Sequence, residues 1–175
     1  GEVGFGDRLP DANVLLAAAE MMHSYADDLL VSAQAWEPTT SEAFTALVVM
    51  TPTMSEYFAS WRDSRFILGD ESTQADFGVI SRLSDIKDIL SGLLVVYDGV
   101  SPLVVEVDSQ QDAQIRDGLL DLQTYVIDLY AQELDGRIFT PEEADLYGSE
   151  AQSRAQMITG QISQVAALAG VELPE

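Results

Sequence analysis

Apolar residues recur along this chain at three- and four-residue steps, the period of a helix that buries one face. From Pro10 onward Leu15, Ala18, Met22, Tyr25, Leu29 and Trp36 keep that step. They predict a first helix that ends at Glu37-Pro38, because a residue before proline is pushed out of the helical region. Thr40-Ser41-Glu42 opens a second helix, striped by Phe44, Leu47, Thr51, Met54, Phe58, Trp61, Arg65 and Leu68. Pro52 lies inside that stripe, where a missing N–H predicts a kink. Gly69 is the expected stop.

A third helix is expected from about residues 72–75, with Asp76, Val79, Leu83, Ile86, Leu90, Leu93 and Tyr97 inward. Gly78 and Gly92 weaken it or admit a close neighbour, and Gly99 with Ser101-Pro102 is expected to break or bend it. Leu103 to Val107 reads as a helical turn or an extended connector. A fourth helix follows from Ser109 to Leu134, with Ile115, Leu119, Leu122, Val126 and Leu129 inward, and Asp135-Gly136 stops it. Thr140-Pro141-Glu142-Glu143 is a capping box that starts a fifth. Its stripe is Ala144, Tyr147, Ala151, Ile158, Ile162, Val165 and Leu168, and Gly170 ends it. No strand alternation competes and no linker divides the chain. The pattern predicts one all-α domain over residues 1–175, an antiparallel up-and-down bundle of four to five helices with the second kinked at Pro52.

Composition adds limits. A hydrophobic content of 47% argues against disorder. No apolar run approaches the roughly 18–20 residues of a membrane span, so no transmembrane segment is expected. Gly1 to Asp7 reads as the trimmed start of a mature or engineered chain, which leaves room for a removed signal peptide or lipid anchor. The chain carries 30 Asp+Glu against 8 Lys+Arg, a net charge of -22. No basic patch is there to meet phosphates, which argues against nucleic acid and against anionic membranes. Cations and basic partners remain, beside the plain reading of a solvated acidic surface. The absence of cysteine excludes disulfides, thiolate metal sites and Cys nucleophiles.

Candidate chemistry is sparse. Glu20-Met-Met-His23 has the Glu-x-x-His spacing of di-iron bundles, but no second such pair exists, so His23 reads as a surface histidine. Arg65 and Asp76 hold inward positions on helices joined by a short turn, and are expected to form a bidentate pair. That pair is either a structural clasp or part of a polar pocket for an anionic or metal-bound ligand, with Arg62, Arg82 and Asp85 nearby. The acidic pairs Asp27/Asp28, Asp85/Asp88, Asp117/Asp121 and Glu142/Glu143 lack a calcium-loop spacing and read as solvated faces and caps. Neither a Gly-x-Ser-x-Gly elbow nor a phosphate-cradling loop occurs. Trp36, Trp61 and Tyr97 are expected in the core.

Ser84-Asp85-Ile86-Lys87-Asp88-Ile89, then Leu90-Ser-Gly-Leu and Val96-Tyr97-Asp98-Gly99, resembles the imelysin-like family. That family includes imelysin-type proteins and the periplasmic component of a bacterial ferrous-iron uptake system. Val107-Asp108, Ile115 to Leu134, Thr140-Pro141 and Gln164 to Ala169 extend the resemblance over roughly residues 75–170. The family's metal-associated motif, Gly-x-His-x-x-Glu, is absent, since Ser24, Tyr25 and Ala26 follow His23. The resemblance implies a non-enzymatic extracytoplasmic binding bundle, periplasmic or at the cell surface, associated with iron or metal uptake. A metal ion or small ligand and a membrane uptake complex are the implied partners, and iron or another divalent cation the implied cofactor. The alternative is a metal-independent bundle that senses a ligand or docks a protein. A carboxylate-based enzyme would need a pair of acids in a cleft with split pKa values, and no acidic pair stands out for it.

Overall fold

The structure, a computed structural model, describes residues 12–73 and 80–173. Helices account for its regular structure, and no strand occurs among the described residues. The chain divides into two compact units, Gly1–Pro38 and Thr39–Glu175.

In the first unit the described residues form one helix, α1 (Ala12–Ala35). Its expected start at Pro10 lies outside the described residues. His23 pairs with Asp27 at 3.0 Å, one turn on, rather than with Glu20. No residue of α1 is buried. The helix therefore has the predicted period, but Trp36 is 61% exposed and is not the core residue expected. The physical reason is local: among its described residues this unit holds no second helix to pack against.

The second unit is a four-helix bundle. Its first rod combines α2 (Thr40–Met50) and α3 (Met54–Arg62). Thr39 caps it, accepting from Glu42 N–H while the Glu42 carboxylate accepts from Thr39 N–H. The kink falls where expected, at Pro52 (φ -82, ψ 19), inside a short 3-10 turn over Thr51–Thr53. Phe44, Leu47, Thr51, Met54, Phe58 and Trp61 are all buried, as the stripe predicts.

The stripe does not continue past Trp61. Ser64 is extended (φ -82, ψ 165) and caps a new one-turn helix, α4 (Arg65–Leu68). Its hydroxyl donates to the Trp61 carbonyl at 2.6 Å and accepts from Phe66 N–H at 3.3 Å. This restart rotates the register, so Ile67 turns inward and Arg65 is exposed, against the inward position expected for it. Gly69 follows with φ 57, as its stop role requires.

The run Arg82–Leu134 is 53 residues of helix interrupted at one residue, Asp108 (φ -159, ψ 100). Asp108 divides it into α5 (82–107) and α6 (109–134). Ser81 caps α5; the earlier start expected near residues 72–75 falls partly on residues outside those described. The break expected at Gly99 or Ser101-Pro102 is absent. Pro102 stays within the helix on its exposed side, while Ser101 and Val104 face the core. No neighbour lies within 4 Å of a Cβ placed on Gly92 or Gly99, so neither admits a close helix among the described residues. The Asp108 carboxylate accepts from Gln110 and Gln111 N–H, capping α6 as it turns back. By length and composition alone, this run contains an 18-residue stretch apolar enough to cross a membrane, a third of it buried in the bundle. That differs from the expectation that no stretch comes near such a composition. Its apolar side is the core stripe Leu90, Leu93, Tyr97, Val100 and Val104, while Asp98 on the other side pairs with Arg116.

The last helix, α7 (Pro141–Leu168), opens on the predicted capping box of Thr140 and Glu143. Three sets of contacts fix the directions. Ser41 Oγ donates to the Glu172 carbonyl at 2.7 Å and Ser55 N–H to Gln152 at 2.9 Å, so the first rod runs antiparallel to α7. Gln123 Nε2 donates to Ser91 Oγ at 2.8 Å across α5 and α6. Gln161 reaches Gln114 while the Tyr125 and Tyr147 rings meet edge to face, setting α6 against α7. The result is the antiparallel up-and-down bundle that the periodicity predicts.

Gly148 makes the closest approach to a neighbouring helix among the described glycines. A Cβ there would stand 2.7 Å from Phe58 Cβ, an atom fixed to the α3 backbone. Gly160, on the exposed side of the same helix, has nothing within 4 Å. Gly148→Ala is therefore expected to lower stability by about 1–3 kcal/mol in urea denaturation, since overpacking outweighs helix propensity. Gly160→Ala is expected to raise it by roughly 0.5–1 kcal/mol.

Candidate functional site

The sequence-derived candidates do not converge on one pocket. Arg62 ends α3 and faces α7. Arg82 and Asp85 sit in the first turn of α5 and pair with each other at 2.6 Å. Arg82 lines a small cavity of about 210 Å3 with Thr53, Glu56, Tyr57 and Ser60. Arg62 and Arg82 thus lie on two different flanks of α3. Arg65 is exposed on α4, away from the inward pocket expected of it. Asp76, its expected partner, lies outside the described residues, so the clasp is not among the contacts described.

A groove of about 470 Å3 runs between α3 and α7. Gly148 draws α7 onto Phe58 at its floor, and the short side chains of Ala59, Ala144 and Ser149 leave the space open. Ser55, Gln152, Ser153 and Gln156 supply hydroxyls and amides along its walls. Gln152 is held in place by Ser55, whose N–H is freed by the break at Pro52. One kink thus opens a backbone donor and orients a groove side chain.

Charge in the groove is balanced. Arg62 donates to Asp63 through Nε at 2.7 Å and through Nη2 at 3.0 Å, and to Asp145 through Nη1 at 2.9 Å. The bonds to Asp63, then to Asp145, push the Arg62 guanidinium above its ordinary value. The bond from Arg62 holds Asp63 below its ordinary carboxylate value. On a chain of net charge -22, the groove lining pairs one cation, Arg62, with one carboxylate, Asp145, and Asp63 flanks Arg62 outside the lining. Its chemistry suits reversible contact with neutral polar groups.

A second polar cluster sits between α5 and α6. Asp112 accepts from Tyr97 Oη at 2.9 Å and from Ser101 Oγ at 2.7 Å, and its carbonyl accepts from Tyr97 at 3.2 Å. The Arg116 guanidinium lies 5.6 Å from the Tyr97 ring centre and bonds Asp98. Burial first, then the bond to Asp112, pushes the Tyr97 hydroxyl above its ordinary value. Tyr97 is in the core as expected, but the tie to Asp112 is absent from the sequence reading. Likewise Asp145, Gln152 and Gly148 were not singled out. The available signal was a glycine inside a strongly helical pattern, which marks either a weak point or a close approach.

No group of three or more His, Asp or Glu side chains that could hold a metal ion occurs among the described residues. The acidic pairs are used locally. Glu143 is locked in the α7 cap and Asp85 in its pair with Arg82. The tie between Arg62 and Asp63 sets an acid-side dependence. A carboxylate held low contributes stability that is present above its ordinary pKa of 3.8 and lost as pH falls through its lowered folded value. Asp63→Asn is expected to leave a shallower loss of melting temperature between neutral and strongly acid pH. An unchanged acid slope would count against the pair.

In comparison with known proteins, the model of the imelysin family matches residues 5–168. No curated protein matches, and no solved structure matches.

Proposed function

The chain belongs to the imelysin family, and from that premise we propose that it is a non-enzymatic, extracytoplasmic binding bundle associated with uptake of iron or another metal. The observation that carries this reading is the family match over nearly the whole chain. The acidic surface, 30 carboxylates against 8 cations, favours cations and basic partners near the protein. The family's name includes a peptidase label. The residues support binding rather than hydrolysis: His23, the one histidine, is exposed and tied to Asp27, with no nucleophile–base pairing among the hydrogen bonds of the described residues.

A second reading, a metal-independent ligand-sensing or protein-docking bundle, is favoured by a different observation. The groove between α3 and α7 is lined by amides and hydroxyls around a neutralised arginine, a poor place for a metal ion and a suitable one for neutral polar groups. Calorimetric titration with ferrous, ferric and cupric ions separates the two. A direct metal role requires at least one site tighter than roughly millimolar, the weak end of carboxylate cation sites. Heat of dilution alone would remove that role and leave the second reading.

A further inference from the structure

We propose that Asp108 is a hinge through which two copies of this chain exchange halves, so that each groove between α3 and α7 is then built from both. This exchange does not depend on the metal reading. Antiparallel helices are commonly joined by about two to eight residues. Here Asp108 is the one non-helical residue in a run of 53, so helix stands directly on either side of it. Rotation at that residue alone converts the hairpin into one continuous helix. Connections this short are where domains swap.

The apolar pattern survives that opening. Leu93, Val104, Ile115 and Val126 are buried and fall at eleven-residue steps that cross Asp108. Eleven residues are about three turns of a straight helix, so the stripes of α5 and α6 stay on one face when the run is straightened. Contacts within the closed hairpin set the register. Ser91 meets Gln123 and Asp98 meets Arg116, both pairs centred on Val107. Two straightened runs laid antiparallel about Val107 re-form these contacts between chains. The exchange places α2 and α3 of one copy against α7 of the other, so Arg62 and Asp145 in each groove come from different chains. Asp108 also holds the closed form. Its carboxylate caps α6 only while the residue stays non-helical. In the open form Glu106 and Asp108 of both copies gather at the junction, with no Lys or Arg between Lys87 and Arg116. The closed monomer is therefore the resting state, and a change at Asp108 releases the swap.

The test uses the full chain. Asp108→Ala removes both the cap and the junction charge. It is expected to tighten dimerisation at least about tenfold, read by light scattering on a sizing column. Three glycines inserted after residue 108 of that variant are expected to return it to monomer, because a flexible link closes the hairpin without the cap. Spin labels on Asp88→Cys and Asp128→Cys, in Asp108→Ala chains diluted into unlabelled ones, identify the dimer. In the swapped dimer the two labels of one chain stand about 60 Å apart, the length of forty residues of continuous helix. In the monomer fraction they stay close. Three results overturn the proposal: a variant that remains monomeric, a dimer whose labels on one chain stay close, or a dimer that survives the glycine insertion. If circular dichroism shows that Asp108→Ala does not fold, the unsubstituted chain is refolded from urea at high concentration. The same dimer is expected there, and its absence overturns the proposal equally.

Discussion

The fold-back at Asp108 is the constraint on which the bundle depends. Arg82–Leu134 is a 53-residue helical run with a core stripe on each side of that residue. A straight helix of that length would extend about 80 Å and could not bring both stripes to one core. Asp108 leaves the helical region and uses its carboxylate to cap the new helix. Four residues on, Asp112 ties α6 back to α5 through the hydroxyls of Tyr97 and Ser101. Both hydroxyl residues are buried, so removing the Asp112 carboxylate would strand the Ser101 hydroxyl at a cost of roughly 1–3 kcal/mol, while Tyr97 keeps the Asp112 backbone carbonyl. With the hairpin closed, Leu90, Tyr97, Leu119 and Leu122 enter one core with the first rod and α7.

The groove follows from a second local event. Pro52 breaks the first rod, frees the Ser55 N–H for Gln152, and leaves α3 at the angle at which Phe58 meets Gly148. Two chain breaks, one proline and one aspartate, therefore set the bundle's closure and its groove. The family match spans these elements and α1 alike.

Much of this was legible in the sequence, because apolar periodicity reports directly on which side chains are buried. Phe44 through Trp61, Leu83 through Tyr97, Ile115 through Leu129 and Ala144 through Val165 follow their stripes into the core. The failures have separate physical causes. Ser64 restarts the helix, so Arg65 leaves the stripe it was placed on. Pro102 reads as a breaker by propensity, yet packing of Ser101 and Val104 carries the helix through it. Trp36 keeps the period of α1, but period alone does not say whether a covering surface is present. The groove and the Asp112 cluster were illegible for another reason: both join residues far apart in the chain through polar contacts, which leave no repeating signal.

The central claim, that the long helical run closes on itself at Asp108, is tested most directly by a distance between spin labels. The chain has no cysteine, so Asp88→Cys and Asp128→Cys introduce the only attachment points, both at exposed positions on the outer sides of α5 and α6. Pulsed electron resonance should show one narrow distribution at about 15–25 Å, the span of neighbouring helices plus label arms. A distribution centred near 60 Å, the length of forty residues of continuous helix, would contradict the fold-back.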